Sequence, residues 1–93
     1  MAILRTFKKQ PGEVFDYDIN FAAWLTAVSD TGASIAVTVD TGITLGATSL
    51  TNGVAKARLS GGTSGTSYKM TVTLTTTGGL VKEDEIMIEV LEI

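Results

Sequence analysis

The sequence contains neither cysteine nor histidine. Without cysteine there is no disulfide framework, no thiolate nucleophile and no cysteine-ligated zinc site. Histidine is the usual general base near neutral pH and the commonest metal ligand, so its absence removes both roles. Neither a Ser–His nor a Cys–His catalytic pair can form. We therefore expect no enzymatic activity, no metal site and no cofactor.

Proline and charge are also scarce. The chain has one proline, 18% charged residues and a net charge of −3. A net negative charge argues against a nucleic-acid or anionic-membrane partner. No stretch approaches the roughly 20 apolar residues of a membrane span, and no apolar run follows the basic N-terminus as a secretion signal requires. We expect that the protein binds neither nucleic acid nor a membrane and that it is made in a cytoplasm.

What the chain does have is period-two alternation and many turn residues. In the clearest run, Tyr68, Met70, Val72 and Leu74 alternate with Lys and Thr, which is typical of a half-buried strand. Asn52-Gly53 is a strong hairpin signal. About seven short strands with turns every 8–12 residues predict an all-β, immunoglobulin-like sandwich, with a Greek-key barrel as the competing fold. We expect one domain over 1–93, with 1–12 as an extended arm or an edge strand.

Two aromatic residues are candidates for structural roles. Trp24 lies in a stretch, 21–28, whose apolar residues have helical spacing; this predicts one short helical turn that places Trp24 in the core or, alternatively, presents it to a partner. Tyr68 follows the glycine-rich segment 61–65 and begins a long strand. It is either a tyrosine corner, with its hydroxyl bonded back to the preceding loop, or an ordinary core aromatic.

The charges are distributed unevenly between the two ends of the chain. Arg5, Lys8 and Lys9 make the N-terminus basic, whereas the last strand is acidic through residues that include Glu85, Glu89 and Glu92. One interpretation is that the two strands pair within a subunit. The other is that the basic end of one copy meets an acidic edge of the next, head to tail, and so closes a symmetric ring. On the second interpretation these six residues are partner contacts.

The spacing Asp16-x-Asp18-x-Asn20 is similar to the opening of a calcium loop. Such a loop needs glycine at its sixth position and a carboxylate at its twelfth. Phe21 and Ala27 stand there instead. The spacing is better explained as the polar face of a strand.

Three passages resemble the phage fiber-tail adaptor proteins. The most distinctive is Asp16-Tyr17-Asp18-Ile19-Asn20-Phe21 followed by Trp24-Leu25, within a likeness that starts at Lys9. The Ser60-Gly61-Gly62-Thr63 passage with Gly65-Thr66-Ser67-Tyr68 resembles the middle of that family, and 81–83 with 86–93 resemble its end.

The resemblance implies a structural protein of a tailed-phage virion, located on the tail or collar and made in the host cytoplasm. It would join tail fibers to the particle, and its partners would be other tail, collar and fiber proteins. The family has no catalytic residues to carry over. Two alternatives stay open: an immunoglobulin-like decoration domain that binds the capsid or host-surface glycans, and an assembly module of a bacterial adhesin.

Overall fold

The computed structural model describes residues 3–92, and Met1, Ala2 and Ile93 lie outside the described part. Seven strands and one helix follow one another along it. Their bounds are β1 Ile3–Lys9, β2 Phe15–Asn20, α1 Ala22–Ala27, β3 Gly32–Val39, β4 Ile43–Thr51, β5 Val54–Gly61, β6 Thr66–Thr76 and β7 Val81–Val90.

The strands form two sheets that pack face to face. One sheet has the order β1-β7-β6-β3 and the other has the order β2-β5-β4. All neighbours are antiparallel except β1 and β7, which are parallel. The orders 2-5-4 and 7-6-3 are those of the BED and GFC strands of immunoglobulin domains. The predicted all-β immunoglobulin-like sandwich is therefore confirmed, and β1 is an edge strand of the larger sheet.

Alternation along the strands determines what the two sheets bury. In β6 the buried residues are Tyr68, Met70, Val72 and Leu74, and in β7 they include Ile86, Ile88 and Val90. In β5, Ala55, Ala57 and Leu59 point inward while Lys56 and Arg58 are exposed. The inward rows of both sheets meet in one hydrophobic core. A hydrophobic core on this scale replaces the metal or disulfide that smaller domains need.

The β4–β5 hairpin closes through Asn52-Gly53. Thr51 and Val54 are paired, so the loop has two residues. Both loop residues have positive φ, 50° at Asn52 and 79° at Gly53. These angles define a type I′ turn, whose backbone twist matches the right-handed twist of the two paired strands. Asn-Gly is the preferred sequence for this turn.

The short helix crosses from one sheet to the other. Asn20 Oδ1 accepts a hydrogen bond of 2.8 Å from the backbone N–H of Ala22, which forms an Asx turn just before the helix; the N-cap residue is Phe21, without a side-chain capping bond. Leu25 is buried and Trp24 packs against the core while remaining half-exposed. The helical turn predicted near 21–28 is present at Ala22–Ala27. At six residues, this helix of the described chain is too short to cross a bilayer.

Asp30 fastens the end of this crossover to the β6–β7 turn. Its Oδ1 accepts hydrogen bonds from the backbone N–H groups of Thr31, at 2.8 Å, and Gly78, at 3.2 Å. A Cβ at Gly78 would lie 2.6 Å from Asp30 Oδ2, so a larger residue there would displace the carboxylate. Hydrogen bonding by the Thr76 side chain and by these backbone amides lowers the pKa of Asp30.

This fastening predicts an acid-sensitive contribution to stability. The folded-state pKa of Asp30 lies below that of the unfolded chain, so the contribution is present above about pH 4 and is lost as the pH falls through the folded value. We expect Asp30→Ala to lower the Tm at pH 6 and to lower it less at pH 3, as measured by calorimetry. An equal Tm difference at both pH values would contradict this prediction.

Candidate functional site

An open groove runs along the side of the sandwich where β1 and β2 are the two edge strands. It is lined by residues of four strands and has a volume of about 580 Å³. We call it the edge groove and define it by Arg5, Phe7, Asp18, Ile19, Asn20, Val54 and Ile86. The groove exists because β1 pairs in one sheet and β2 in the other, and no described strand bridges them.

An aromatic contact between the two edge strands lies beside the edge groove. The rings of Phe7 and Tyr17 meet edge to face with centroids 5.2 Å apart, a geometry favoured by the ring quadrupoles. The Arg5 guanidinium lies 5.7 Å from the Phe7 ring centroid, within cation–π range. The contact between Phe7 and Tyr17 joins β1 to β2 across the opening.

The charged residues at the rim differ in whether they are already paired. Arg58 donates two hydrogen bonds to the Asp16 carboxylate, at 2.9 and 3.2 Å. The Arg58 hydrogen bond is the main reason that the pKa of Asp16 is lowered. Within residues 3–92, neither Arg5 nor Asp18 makes a side-chain hydrogen bond or an ion pair. In the described chain the rim therefore carries a cation on β1, stacked on Phe7, and a carboxylate on β2, neither of them in an ion pair.

Tyr17 has a polar atom that the fold leaves unsatisfied. The residue is only 6% exposed, and its hydroxyl is buried without a hydrogen-bond partner in the described chain. Burial, with a smaller contribution from Glu13, raises the pKa of this phenol. A buried hydroxyl without a partner is costly, and native structures contain few of them.

Apolar side chains are exposed at one end of this side. Val14 is 57% exposed and Phe15 is 48% exposed. Phe15 lines a second depression of about 460 Å³, which shares Arg5, Phe7 and Asp18 with the edge groove. Apolar surface that continues into a groove is a feature of interaction sites.

Lys9, predicted from the sequence as a partner contact, is not on the surface. It is 2% exposed. Its ammonium donates to the carbonyls of Gly61 at 2.6 Å, Gln10 at 2.8 Å and Pro11 at 3.4 Å. Desolvation lowers its pKa and the charge of Glu13 opposes that shift. Lys9 thus fastens the end of β1 to the end of β5.

Glu85 is also buried, at 8% exposure. Its carboxylate lies 3.3 Å from the ammonium of Lys69 and accepts a hydrogen bond from the Thr71 hydroxyl at 3.3 Å. Lys8 is exposed, and its register partner in β7 is Glu89, which is half-buried. Glu92 is exposed. The basic and acidic strands therefore pair within one subunit, and β7 lies between β1 and β6, so it is not an edge.

The two aromatic candidates have defined contacts. The backbone N–H of Thr63 donates a hydrogen bond of 2.9 Å to the Tyr68 hydroxyl. The Thr63 hydrogen bonds lower the pKa of that phenol. This is the geometry of a tyrosine corner at the start of the sixth strand. The Lys82 ammonium lies 5.9 Å from the centroid of the Trp24 ring, and Trp24 also packs against the hydrophobic core.

Sequence reasoning did not identify the edge groove. Phe7, Asp18 and Val54 belong to three strands that are distant in sequence, and only the sheet order brings them together. One signal was available: Arg5 and Phe7 share a face of a short strand next to a chain turn. The described residues contain no cluster of three or more acidic side chains able to hold a metal ion.

The fold and the groove describe a rigid β-sandwich suited to contacts with other proteins. The podophage GP4 fiber-tail adaptor protein gp77 family model matches residues 9–89. This match covers most of the chain, so the protein belongs to that family and has a structural role in a phage tail. The resemblance seen in the sequence is thereby confirmed. A comparison with curated proteins gave no match.

The corner hydrogen bond gives a stability prediction for Tyr68→Phe. The substitution keeps the buried ring and leaves the Thr63 N–H without its acceptor. Loss of one such bond should lower the Tm by about 4–8 °C in a domain of this size. Thermal unfolding followed by circular dichroism measures it. An unchanged Tm would mean that the hydroxyl adds nothing to the corner.

The burial of Lys9 gives a second prediction, with Lys8 as its matched control. Lys9→Met keeps the aliphatic stem and strips the Gly61 and Gln10 carbonyls of their donor, so it should cost about 1–3 kcal/mol. Lys8→Met changes an exposed neighbour and should change stability by less than about 0.5 kcal/mol. Urea unfolding of both variants tests the difference. Equal effects would contradict the fastening role of Lys9.

Proposed function

We propose that this protein joins tail fibers to the tail or collar of a podophage particle, as several copies in a symmetric ring and without catalytic activity. The observation that carries the proposal is the family match over 9–89. Its partners would be other tail, collar and fiber proteins. It would be made in the host cytoplasm and would act in the virion, without binding nucleic acid or a membrane.

The physical properties of the sandwich support this role. An adaptor transmits force between two large partners, so it must keep its shape. The two sheets share one closely packed core, and Lys9, Tyr68 and Asp30 fasten loops to strands or strands to one another. Many long-range contacts of this kind make a small domain rigid.

An adaptor also needs surfaces that its own fold does not use. The edge groove, the free side of β2 and the exposed Val14 and Phe15 lie together on one side. At the opposite end of the strands, Val28, Leu80 and Val81 are exposed. Two separated surfaces suit a protein that contacts two different neighbours, and a heterologous contact between copies forms a ring when its rotation closes.

The six charged residues predicted as partner contacts differ in how exposed they are to solvent. Arg5, Lys8, Glu89 and Glu92 stay in the proposal, because each of them retains some exposure to solvent. Lys9 and Glu85 are satisfied internally, so we assign them structural roles instead. Head-to-tail contact through an acidic β7 edge is not part of the proposal, because β1 occupies that edge.

Antibody-labelled electron microscopy of purified particles tests the adaptor role. We expect the label at the tail or collar, and we expect particles that lack this protein to lose their tail fibers while their capsids fill normally. Label spread over the capsid would instead support the decoration alternative. Fibers retained at normal number on particles that lack the protein would overturn the adaptor role.

A further inference from the structure

The free edge of β2 presents an identifiable set of backbone groups. The Phe21 N–H donates to the Gly53 carbonyl at 2.8 Å, one position beyond the Asn20–Val54 pair that ends the β2–β5 register. Hydrogen-bonded and non-hydrogen-bonded pairs alternate along an antiparallel ladder. The backbone N–H and C=O groups of Asp16, Asp18 and Asn20 therefore point away from β5, toward the open side.

Of the four edge strands, β2 is the one whose described pairing register is continuous. The registers of β1, β3 and β4 are each interrupted, at Ile3/Arg5, Gly32/Ser34 and Leu45/Thr48. The β2–β5 register runs from Phe15 to Asn20 without a shift. Proteins use bulges, prolines and inward-pointing charges to prevent strand addition at edges. The described β2 edge has none of these three features, and the charges that it carries, Asp16 and Asp18, are exposed.

The position beside β2 is also one that related folds fill. In constant-type immunoglobulin domains the sheet that contains strands B, E and D has the order A-B-E-D, with the first strand next to the second. Here β2, β5 and β4 form that sheet, and β1 pairs with β7 instead. In the described chain the place of strand A is therefore unfilled.

The side chains around this place define what could occupy it. On the inner side, a strand added to β2 would lie beside Phe7 and Ile19, which line the edge groove. On the outer side, it would face the carboxylates of Asp16, which is bonded to Arg58, and of Asp18, which lies opposite Lys56 in the register but makes no ion pair in the described chain. Opposite charges on neighbouring strands are favourable. The occupant that fits alternates apolar residues with lysine or arginine.

We propose that β2 accepts an extended segment of another virion protein, which adds as a fourth strand to the β2-β5-β4 sheet and covers the edge groove. The segment alternates apolar and basic residues, and main-chain hydrogen bonds to Asp16 and Asp18 hold it. This inference rests on the proposed adaptor function, since it identifies the surface by which the adaptor holds a neighbour.

The substitution Asp18→Pro tests the proposal directly. Proline removes one N–H from the free edge but none from the β2–β5 ladder, and edge strands tolerate it. Asp18→Ala removes the carboxylate and keeps the N–H. Thr48→Pro places a proline on β4, the other edge of the same sheet. Circular dichroism and thermal unfolding of the purified variants establish that each is folded.

Phage carrying each substitution are then compared for the amounts of this protein and of tail fibers per particle, by quantitative mass spectrometry. We expect Asp18→Pro to reduce one of these amounts by at least about tenfold, which corresponds to the loss of about one hydrogen bond and its alignment. Thr48→Pro should leave both unchanged, and Asp18→Ala should have a smaller effect. Wild-type amounts of both in folded Asp18→Pro particles would overturn the proposal.

Hydrogen exchange in the wild-type protein provides a test that needs no variant. The edge-facing amides of β2 should exchange rapidly in the purified chain and at least about tenfold more slowly in assembled particles, because strand addition would bond them. Equal exchange in both forms would overturn the proposal. If the purified chain dimerises and Asp18→Pro makes it monomeric, the occupant is a second copy, and the assignment to another virion protein fails.

The two proposals fail in different ways. If wild-type protein is absent from the tail, the adaptor function itself is wrong. If it is present at the tail and the β2 amides remain unprotected there, the adaptor function stands and only the docking strand is wrong.

Discussion

The parallel pairing of β1 with β7 is the constraint on which the rest of this structure depends. It places the first strand in the larger sheet, buries the β7 edge and leaves β2 as an edge of the smaller sheet. Lys9 holds this arrangement in place, since its ammonium is fixed by carbonyls of the next turn and of the β5 end. A buried ammonium must have such partners, because leaving it unpaired would cost several kcal/mol. The edge groove forms because β1 pairs with β7 in the larger sheet and not with β2 in the smaller one.

The same pairing changes the meaning of the charge distribution. In sequence, a basic segment and an acidic segment stand at opposite ends of the chain and suggest contact between copies. In the fold they are neighbouring strands, with Lys8 opposite Glu89. Glu85 is satisfied by Lys69 and Thr71 of the strand on the other side. Lys9 and Glu85 are thus satisfied inside one subunit, and the charged residues that line the edge groove, Arg5 and Asp18, make no ion pair in the described chain.

A small structural domain has to reconcile stability with accessible binding surface. Here the core, the Tyr68 corner and the Asp30 fastening keep the sandwich stable without a disulfide. That stability lets one edge remain unprotected and one groove remain open. An exposed edge strand in an unassembled protein is an aggregation hazard. The acidic residues on the outer face of β2 reduce this hazard between copies, since like charges on adjoining strands repel.

The sequence by itself determined the strands, the hairpin at Asn52-Gly53, the short helix and the sandwich class, because these depend on local alternation and on turn residues that favour positive φ. It also contained the family resemblance, and it offered the Tyr68 corner as one of two alternatives. The tertiary structure alone decided that β1 pairs with β7, that Lys9 and Glu85 are buried, and that Arg5, Phe7 and Asp18 line one groove. These features depend on which strands become neighbours, and a period-two pattern specifies the buried face of a strand but not its partner.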